Sequence, residues 1–232
     1  TKILSNHTSM ETFLKFFDIS TTFFTVLGYQ MSYLEFVGTL LSLVSVYLVT
    51  RNNIWTWPIG NIAVILFGIL FYQIQLYSDF IEQIYFFITG FFGWWAWLYI
   101  QKGRKKSASE DASIVYNSVI SNGIYILVIA LATIVAGYYM SIIHILLPQF
   151  FQEAASFPYL DAFTTIMSFA ATILMAHKKI ECWNLWIFVD IIGIWLYFTK
   201  GVLFISLLYV LFLILASNGL LNWRKTYKKS PR

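Results

Sequence analysis

The sequence predicts an all-α membrane protein with seven transmembrane helices, arranged as two parallel three-helix repeats joined by a linker helix (3+1+3). Three observations predict this fold class. Of the 232 residues, 59% are hydrophobic and 11% are charged, whereas soluble domains carry about 25% charged residues. Several apolar stretches reach the about 20 residues that cross a bilayer as a helix. Internal similarity relates the first part of the chain to the last.

The predicted elements follow one another with short connections. The Phe-rich segment 10–30 is interrupted by charged residues, which predicts an amphipathic helix in the membrane interface. The segment 137–158 contains two prolines and predicts a loop outside the membrane. The predicted spans are 31–50, 54–75, 80–100, 116–138, 159–176, 182–199 and 202–222.

These elements divide the chain into five parts. They are an N-terminal interfacial segment (1–30), a first three-helix repeat (31–103), a section with a cytoplasmic loop, the linker helix and an outside loop (104–158), a second three-helix repeat (159–225) and a cytoplasmic tail (226–232).

The positions of lysine and arginine predict the orientation. With seven spans, all of the 15 Lys and Arg except Lys2, Lys15 and Lys200 fall on the side of the C-terminus. Because basic loops stay in the cytoplasm, the C-terminus is predicted inside and the N-terminus outside. The basic residues are spread over separate loops, so the net charge of +4 follows from topology and predicts no nucleic-acid partner.

The internal similarity becomes visible when the chain is shifted on itself. A shift of 126 residues places Glu35 on Asp161 and Trp57 on Trp183. One span between the halves makes them parallel, and transporters built in this way hold their substrate at the repeat interface. The alternative is that aromatic-rich spans align to some extent by composition alone.

The sixth predicted span carries Asp190 in the otherwise apolar stretch WNLWIFVDIIGIWLY (183–197). An ionisable group at the bilayer centre costs at least about 2.5 kcal/mol on insertion scales, so a cavity, a partner or a ligand must offset it. At helical spacing, Trp183, Trp186, Asp190 and Tyr197 share one face. Such a face fits a small molecule with a flat apolar part and hydroxyl groups. The alternative is a hydrogen bond from Asp190 to a neighbouring helix, with the tryptophans in an interfacial belt.

Polar and aromatic residues of the second and third spans extend this face, although Asn61 and Gln83 could instead join helices by hydrogen bonds. Asn184 lies off the Asp190 face but belongs to the same segment. The candidate substrate-binding residues are Trp57, Asn61, Gln83, Trp94, Trp183, Asn184, Trp186, Asp190 and Tyr197.

Missing motifs exclude several classes of activity. The sequence has no GxxxxGK[ST] phosphate loop, no His and carboxylate cluster for a metal, and no nucleophile and base pair within the spans. Neither an enzyme activity nor a cofactor is therefore predicted. Apart from Glu35 and Asp161 at the outer ends of their spans, Asp190 and Glu82 are the acidic residues within the spans, and a coupled pump needs a fuller relay. A uniporter is the economical interpretation.

Five motifs together resemble the PnuC family of bacterial nicotinamide riboside transporters. They are WTWPIGN (55–61), YSDFIEQ (77–83), FFGWWAW (91–97), WNLWIFVD (183–190) and LYFTKG (196–201). The resemblance covers nearly all of residues 31–225. It implies a 3+1+3 fold similar to the SWEET sugar transporters and facilitated diffusion of nicotinamide riboside across the bacterial inner membrane. It also implies homo-oligomers, namely trimers, and a cytoplasmic kinase that traps the riboside by phosphorylation.

The implied ligand fits the candidate residues. Its pyridinium ring is cationic, and each tryptophan face attracts such a cation by about 0.5–2 kcal/mol. Asp190 can meet the ribose hydroxyls or the charge, and the amides of Asn61 and Gln83 both donate and accept. Because no Lys or Arg lies mid-span, we expect the phosphorylated nucleotide to be rejected. Open alternatives are another vitamin such as thiamine, a SWEET-like sugar carrier, and a membrane enzyme or scaffold without transport.

Overall fold

A computed structural model describes residues 15–26, 29–74, 76–104, 114–149, 151 and 154–229. Within this part of the chain, two short strands precede seven long helices. The strands are β1 (Thr22–Val26) and β2 (Tyr29–Ser32), and the helices are α1 (Tyr33–Thr50), α2 (Thr56–Gln73), α3 (Tyr77–Arg104), α4 (Val119–Leu146), α5 (Pro158–Ala176), α6 (Glu181–Thr199) and α7 (Leu203–Lys229).

Six of the seven helices found in the described residues are long and apolar enough to cross a membrane. The exception is α3, whose apolar stretch is rich in tryptophan and tyrosine. Each predicted span overlaps one observed helix. The protein is thus a multi-pass, almost entirely helical membrane protein, and the apolar residues exposed along α4 have the character of a lipid-facing surface.

The prediction of a loop for 137–158 was wrong over its first ten residues, where α4 continues to Leu146. No proline occurs there until Pro148, and the residue before a proline disfavours the helical conformation. Leu147 accordingly leaves the helical region, with φ −134° and ψ 60°.

The N-terminal segment also differs from its prediction. Instead of an amphipathic helix, β1 and β2 pair as an antiparallel hairpin. The stretch TTFFTV, 21–26, is rich in β-branched and aromatic residues, which favour strands. Phe23 packs on Tyr33 with ring centroids 4.4 Å apart, so the hairpin is fixed to the start of α1. Residues 10–14, 27 and 28 of the predicted helix lie outside the described residues.

The hairpin leads directly into the cap of α1. The Ser32 hydroxyl accepts a hydrogen bond from the Glu35 N–H, and the Glu35 carboxylate accepts one from the Ser32 N–H. This reciprocal pair satisfies two backbone groups that a helix start leaves unpaired. The Tyr29 hydroxyl donates to Glu35 as well. Burial raises the pKa of the Tyr29 phenol, and the hydrogen bond to Glu35 raises it further, so the phenol stays protonated.

The helices pack in two groups of three. Neighbours in sequence are in contact within α1–α3 and within α5–α7, and α4 packs against α5. The two groups meet where α1 contacts α7 and where α3 contacts α5. At these two contacts, the Trp97 indole donates to the Met175 carbonyl at 3.3 Å and the Trp223 indole donates to the Val49 carbonyl at 3.0 Å.

Candidate functional site

A cavity of about 250 Å³, here called the central cavity, lies between the two groups of helices. All helices except α4 contribute to its wall. It brings together seven of the nine predicted site residues, namely Trp57, Asn61, Gln83, Trp183, Trp186, Asp190 and Tyr197. Residues that are far apart in the sequence therefore surround one space.

The other two predicted residues do not line this cavity. Trp94 packs instead against the apolar cluster that contains Trp57, Trp97 and Trp183. Asn184 is half-buried and lies outside the wall of the cavity, as its angular distance from Asp190 on the α6 helical wheel suggests.

Tightly packed indole rings line one end of the central cavity. Trp57, at the start of α2, lies directly over Gly93 of α3, where an added Cβ atom would collide with the indole. The Trp57 and Trp97 rings meet edge to face, with ring centroids 5.5 Å apart and an interplanar angle of 88°. Gly93 is needed because a residue without a side chain lets the Trp57 ring reach the backbone of α3.

The second group of helices repeats this arrangement. Trp183, at the start of α6, lies over Gly219 of α7, where a Cβ atom would again collide with the indole. Trp183 and Trp223 meet edge to face, with ring centroids 5.5 Å apart and an interplanar angle of 89°. Both rings have little freedom to move, so they form a preorganised wall.

Several hydrogen-bond donors on the cavity wall are unused. Buried polar groups nearly always have a partner. The indole N–H groups of Trp57, Trp183 and Trp186 and the side-chain amide of Asn61 are buried and have no hydrogen-bond partner among the described residues. Donors that face a cavity in this state are available to a polar ligand.

Asp190 is the acidic residue that α6 contributes to the central cavity. Its side chain is 3% exposed and makes no hydrogen bond or ion pair with any described residue. It lies about 10 Å along the helix axis from Trp183, since seven residues separate them. A buried carboxylate without a partner is costly, which marks this position as one where a ligand can supply the missing interactions.

A second cavity of about 410 Å³, here called the antechamber, adjoins the central cavity at the end away from Trp57 and Trp183. The first turns of α3 and α5 and the last turns of α4 and α6 surround it. Asp161 and Lys200 form an ion pair of 2.8 Å in its wall.

Five residues line both cavities, and we call this set the throat. Two of its members are carboxylic acids, two are phenols and one is a hydroxyl: Asp79, Glu82, Tyr197, Tyr209 and Ser168. The Tyr197 hydroxyl donates a hydrogen bond to the Asp79 carboxylate, which joins α6 to α3. The Tyr197 and Tyr209 rings are stacked with centroids 5.2 Å apart.

Sequence reasoning missed four of these five residues, since only Tyr197 was a candidate. Asp79 and Glu82 are three residues apart at the start of α3, so they share a helix face, and that spacing is a signal that could have found them. Ser168 and Tyr209 carry no such signal. Tyr209 reaches the throat because its ring packs over Gly193 of α6, a contact between two helices that a single segment does not predict.

The chemistry of this arrangement favours binding over reaction. Within the described residues, Lys200 is the one Lys or Arg that lines either cavity, and no three His, Cys, Asp or Glu are placed to hold a metal ion. Aromatic faces, unused N–H donors and a free carboxylate suit a flat molecule that carries positive charge and polar groups.

The comparisons with known proteins agree on one family. The family described as nicotinamide mononucleotide transporter matches residues 32–225. The nicotinamide riboside transporter PnuC of Escherichia coli K12 is 32% identical to this chain over 213 residues, which cover 84% of the chain and 87% of the relative.

Two further matches extend the comparison. The riboflavin/roseoflavin transporter RibM of Streptomyces davaonensis is 24% identical over 210 residues, covering 90% of this chain and 92% of RibM. A crystal structure of the vitamin B3 transporter PnuC superposes with a TM-score of 0.66 at 24% identity, covering 86% of this chain and 83% of the other. At that identity the superposition supports the fold alone.

Proposed function

This chain belongs to the nicotinamide mononucleotide transporter family, and we propose that it carries nicotinamide riboside across the bacterial inner membrane. Family and fold point to a membrane transporter rather than an enzyme. The relatives named for nicotinamide riboside include the E. coli protein, at 32% identity. We further propose that transport is facilitated diffusion, without a coupled ion.

The observation that carries this proposal is the unpaired Asp190 beside indole rings in the wall of one cavity. Nicotinamide riboside combines a flat pyridinium cation, an amide and ribose hydroxyls. In the proposed complex the indole faces take the cation. Asp190 accepts hydrogen bonds from hydroxyls or balances the charge, and the free donors of Asn61 and Trp186 reach ligand oxygens.

We propose that the helices form two parallel repeats, 31–103 and 159–225, joined by α4. Matched contacts at a spacing of 126 residues support this arrangement. Asn52 and Lys178 both have a φ of 54° in the loops that follow α1 and α5. The residue pairs with equivalent contacts are Trp57 and Trp183, Gly93 and Gly219, Trp97 and Trp223, and Val49 and Met175.

In the proposed transport cycle, one three-helix group rocks against the other around the central cavity. The excess of basic residues in the loops on the C-terminal side supports a cytoplasmic C-terminus. The antechamber then opens towards the outside and the indole end lies towards the cytoplasm. Phosphorylation by a cytoplasmic kinase would trap the riboside, and we propose a homotrimer in keeping with the family resemblance.

The proposed site predicts rejection of nicotinamide mononucleotide, although the family carries that name. The phosphate would enter cavities in which Lys200 is the one described cation, and that ammonium is already paired with Asp161 at 2.8 Å. Taking a phosphate out of water without a partner is strongly unfavourable.

Uptake by proteoliposomes tests this prediction. Radiolabelled riboside and mononucleotide are compared at equal concentration in vesicles with and without the protein. In vesicles held at zero membrane potential, we expect riboside uptake that stops at equal inside and outside concentrations, and mononucleotide uptake at the level of empty vesicles. Equal uptake of both would contradict the proposed selectivity, and accumulation of riboside above equilibrium would contradict facilitated diffusion.

A second candidate substrate is riboflavin, favoured by the match to RibM over 90% of this chain. Riboflavin has a flat ring and hydroxyl groups but no permanent positive charge, so it makes less use of Asp190. Excess unlabelled riboflavin, thiamine and sucrose in the same uptake assay separates these alternatives. Strong competition by one of them, with weak uptake of the riboside, would replace the proposed substrate.

A further inference from the structure

The throat is the place where the central cavity and the antechamber are joined by shared wall residues. A solute that moves from one cavity to the other must therefore pass the side chains of this set. Its members come from α3, α5, α6 and α7, so both helix groups contribute. The throat can therefore discriminate between solutes independently of the indole wall.

The charges around the throat are unevenly compensated. Asp161 is neutralised by Lys200 in an ion pair of 2.8 Å, and Asp79 accepts the hydrogen bond from the Tyr197 hydroxyl. Glu82 has no ion pair with any described Lys or Arg, and its neighbour from α5 is the Ser168 hydroxyl. Glu82 is thus a throat carboxyl group that has neither a basic partner nor a phenol donor.

The groups near Glu82 are neutral or acidic. They are Asp79 on its own helix, Asp161 and Ser168 on α5, Tyr197 on α6 and Tyr209 on α7. Lys200, directly after α6, also lines the antechamber but is paired with Asp161. Asp190, 3% exposed and unpaired, continues the acidic wall into the central cavity.

We propose that Glu82 is a specificity-determining residue that favours cationic over neutral substrates as they cross the throat. This inference rests on the proposed function, because it assumes that a solute passes between the two cavities. Its physical basis is that a cation in the throat stabilises the ionised form of the buried Glu82 carboxyl group, because opposite charges attract more strongly away from bulk water. A neutral ring of the same shape gains nothing from that attraction.

The discriminating pair of substrates is nicotinamide riboside and its reduced 1,4-dihydro form. The two molecules share the ribose, the amide and nearly the same size, but only the oxidised ring carries a positive charge. The quantity measured is the ratio of the two initial uptake rates in proteoliposomes, for wild type and for Glu82→Gln. The ratio cancels differences in the amount of active protein.

A matched control is Glu35→Gln. Glu35 lies in the cap of α1, outside the walls of both cavities, and glutamine also serves at that position of a capping box. Glu82→Met, an apolar side chain of similar volume, is the second variant, because replacing a buried charge by an apolar group is often tolerated by the fold.

We expect wild type and Glu35→Gln to prefer the cation, and both Glu82 variants to lower the ratio by about tenfold, equivalent to about 1.4 kcal/mol. Uptake of the neutral form should be little changed. Three results would each overturn the inference. They are a wild type that does not prefer the cation, a ratio of uptake rates that is unchanged in a folded Glu82 variant, and an equal loss of both uptake rates in such a variant. Wild-type vesicles that take up neither riboside would instead refute the proposed function.

Discussion

The two ends of the central cavity differ in how closely the residues of one helix group correspond to those 126 positions later in the other. At the indole end, Trp57 over Gly93 corresponds to Trp183 over Gly219 in nearly the same geometry. At the throat the two acids have no counterpart. Asp79 and Glu82 correspond, 126 residues later, to Ile205 and Leu208.

This difference indicates how the tasks are divided. The matched end is made of tightly packed apolar rings, which suits a role in holding the two groups together and forming the flat wall of the site. The unmatched end carries two acids from one group and two phenols from the other, which suits recognition of an asymmetric, charged solute. Variants at the two ends should therefore have different consequences.

The largest effect is expected for Gly93→Ala and Gly219→Ala. Each added methyl group would collide with an indole that is held from its other side, and overpacking of this kind costs about 1–3 kcal/mol. Thermal unfolding of the purified protein, followed by tryptophan fluorescence, should show a clearly lower midpoint for both variants.

Gly123→Ala is the control for this pair, because an added Cβ atom there meets nothing within 4 Å. We expect its midpoint to equal that of wild type or to exceed it slightly, since alanine favours the helix. If Gly93→Ala and Gly123→Ala unfolded at the same temperature, the indole end would not be the rigid wall described above.

A smaller effect is expected for Trp97→Phe and Trp223→Phe. Each substitution removes one hydrogen bond between the two helix groups, to Met175 and Val49 respectively, and such a bond contributes about 0.5–1.5 kcal/mol. Similar losses of unfolding free energy in the two variants would support the proposed repeat.

Trp55→Phe provides the comparison for these variants, because the Trp55 side chain is 63% exposed. Its stability should be that of wild type. A loss in Trp97→Phe without any loss in Trp223→Phe would mean that the two contacts between the groups are not equivalent.

Much of the fold could be predicted from the sequence because span length and hydropathy report directly on the membrane. The helix face of Asp190 was also predictable, since Trp183, Trp186 and Tyr197 share one segment with it. In the third span, helical spacing grouped Gln83 with Trp94 on one face, yet of these two residues Gln83 alone lines the central cavity. Helical spacing alone does not tell which neighbour each part of a face will meet.

The remaining differences have tertiary causes. The throat depends on the meeting of α3, α5, α6 and α7, and a residue such as Tyr209 is placed by its contact with Gly193 on another helix. The hairpin at 22–32 was missed because its aromatic residues fit an amphipathic helix and a strand equally well. Packing on Tyr33 and Phe36 favours the strand.

The central claim is that a riboside occupies the cavity next to the carboxylate on α6. Its most direct test is a titration of the purified protein with nicotinamide riboside, read by quenching of tryptophan fluorescence, for wild type, Asp190→Ala and Glu35→Gln. We predict saturable quenching in wild type and Glu35→Gln, and an affinity at least about tenfold weaker, or about 1.4 kcal/mol, in Asp190→Ala with an unchanged unfolding midpoint. Equal affinity of Asp190→Ala and wild type would contradict the account.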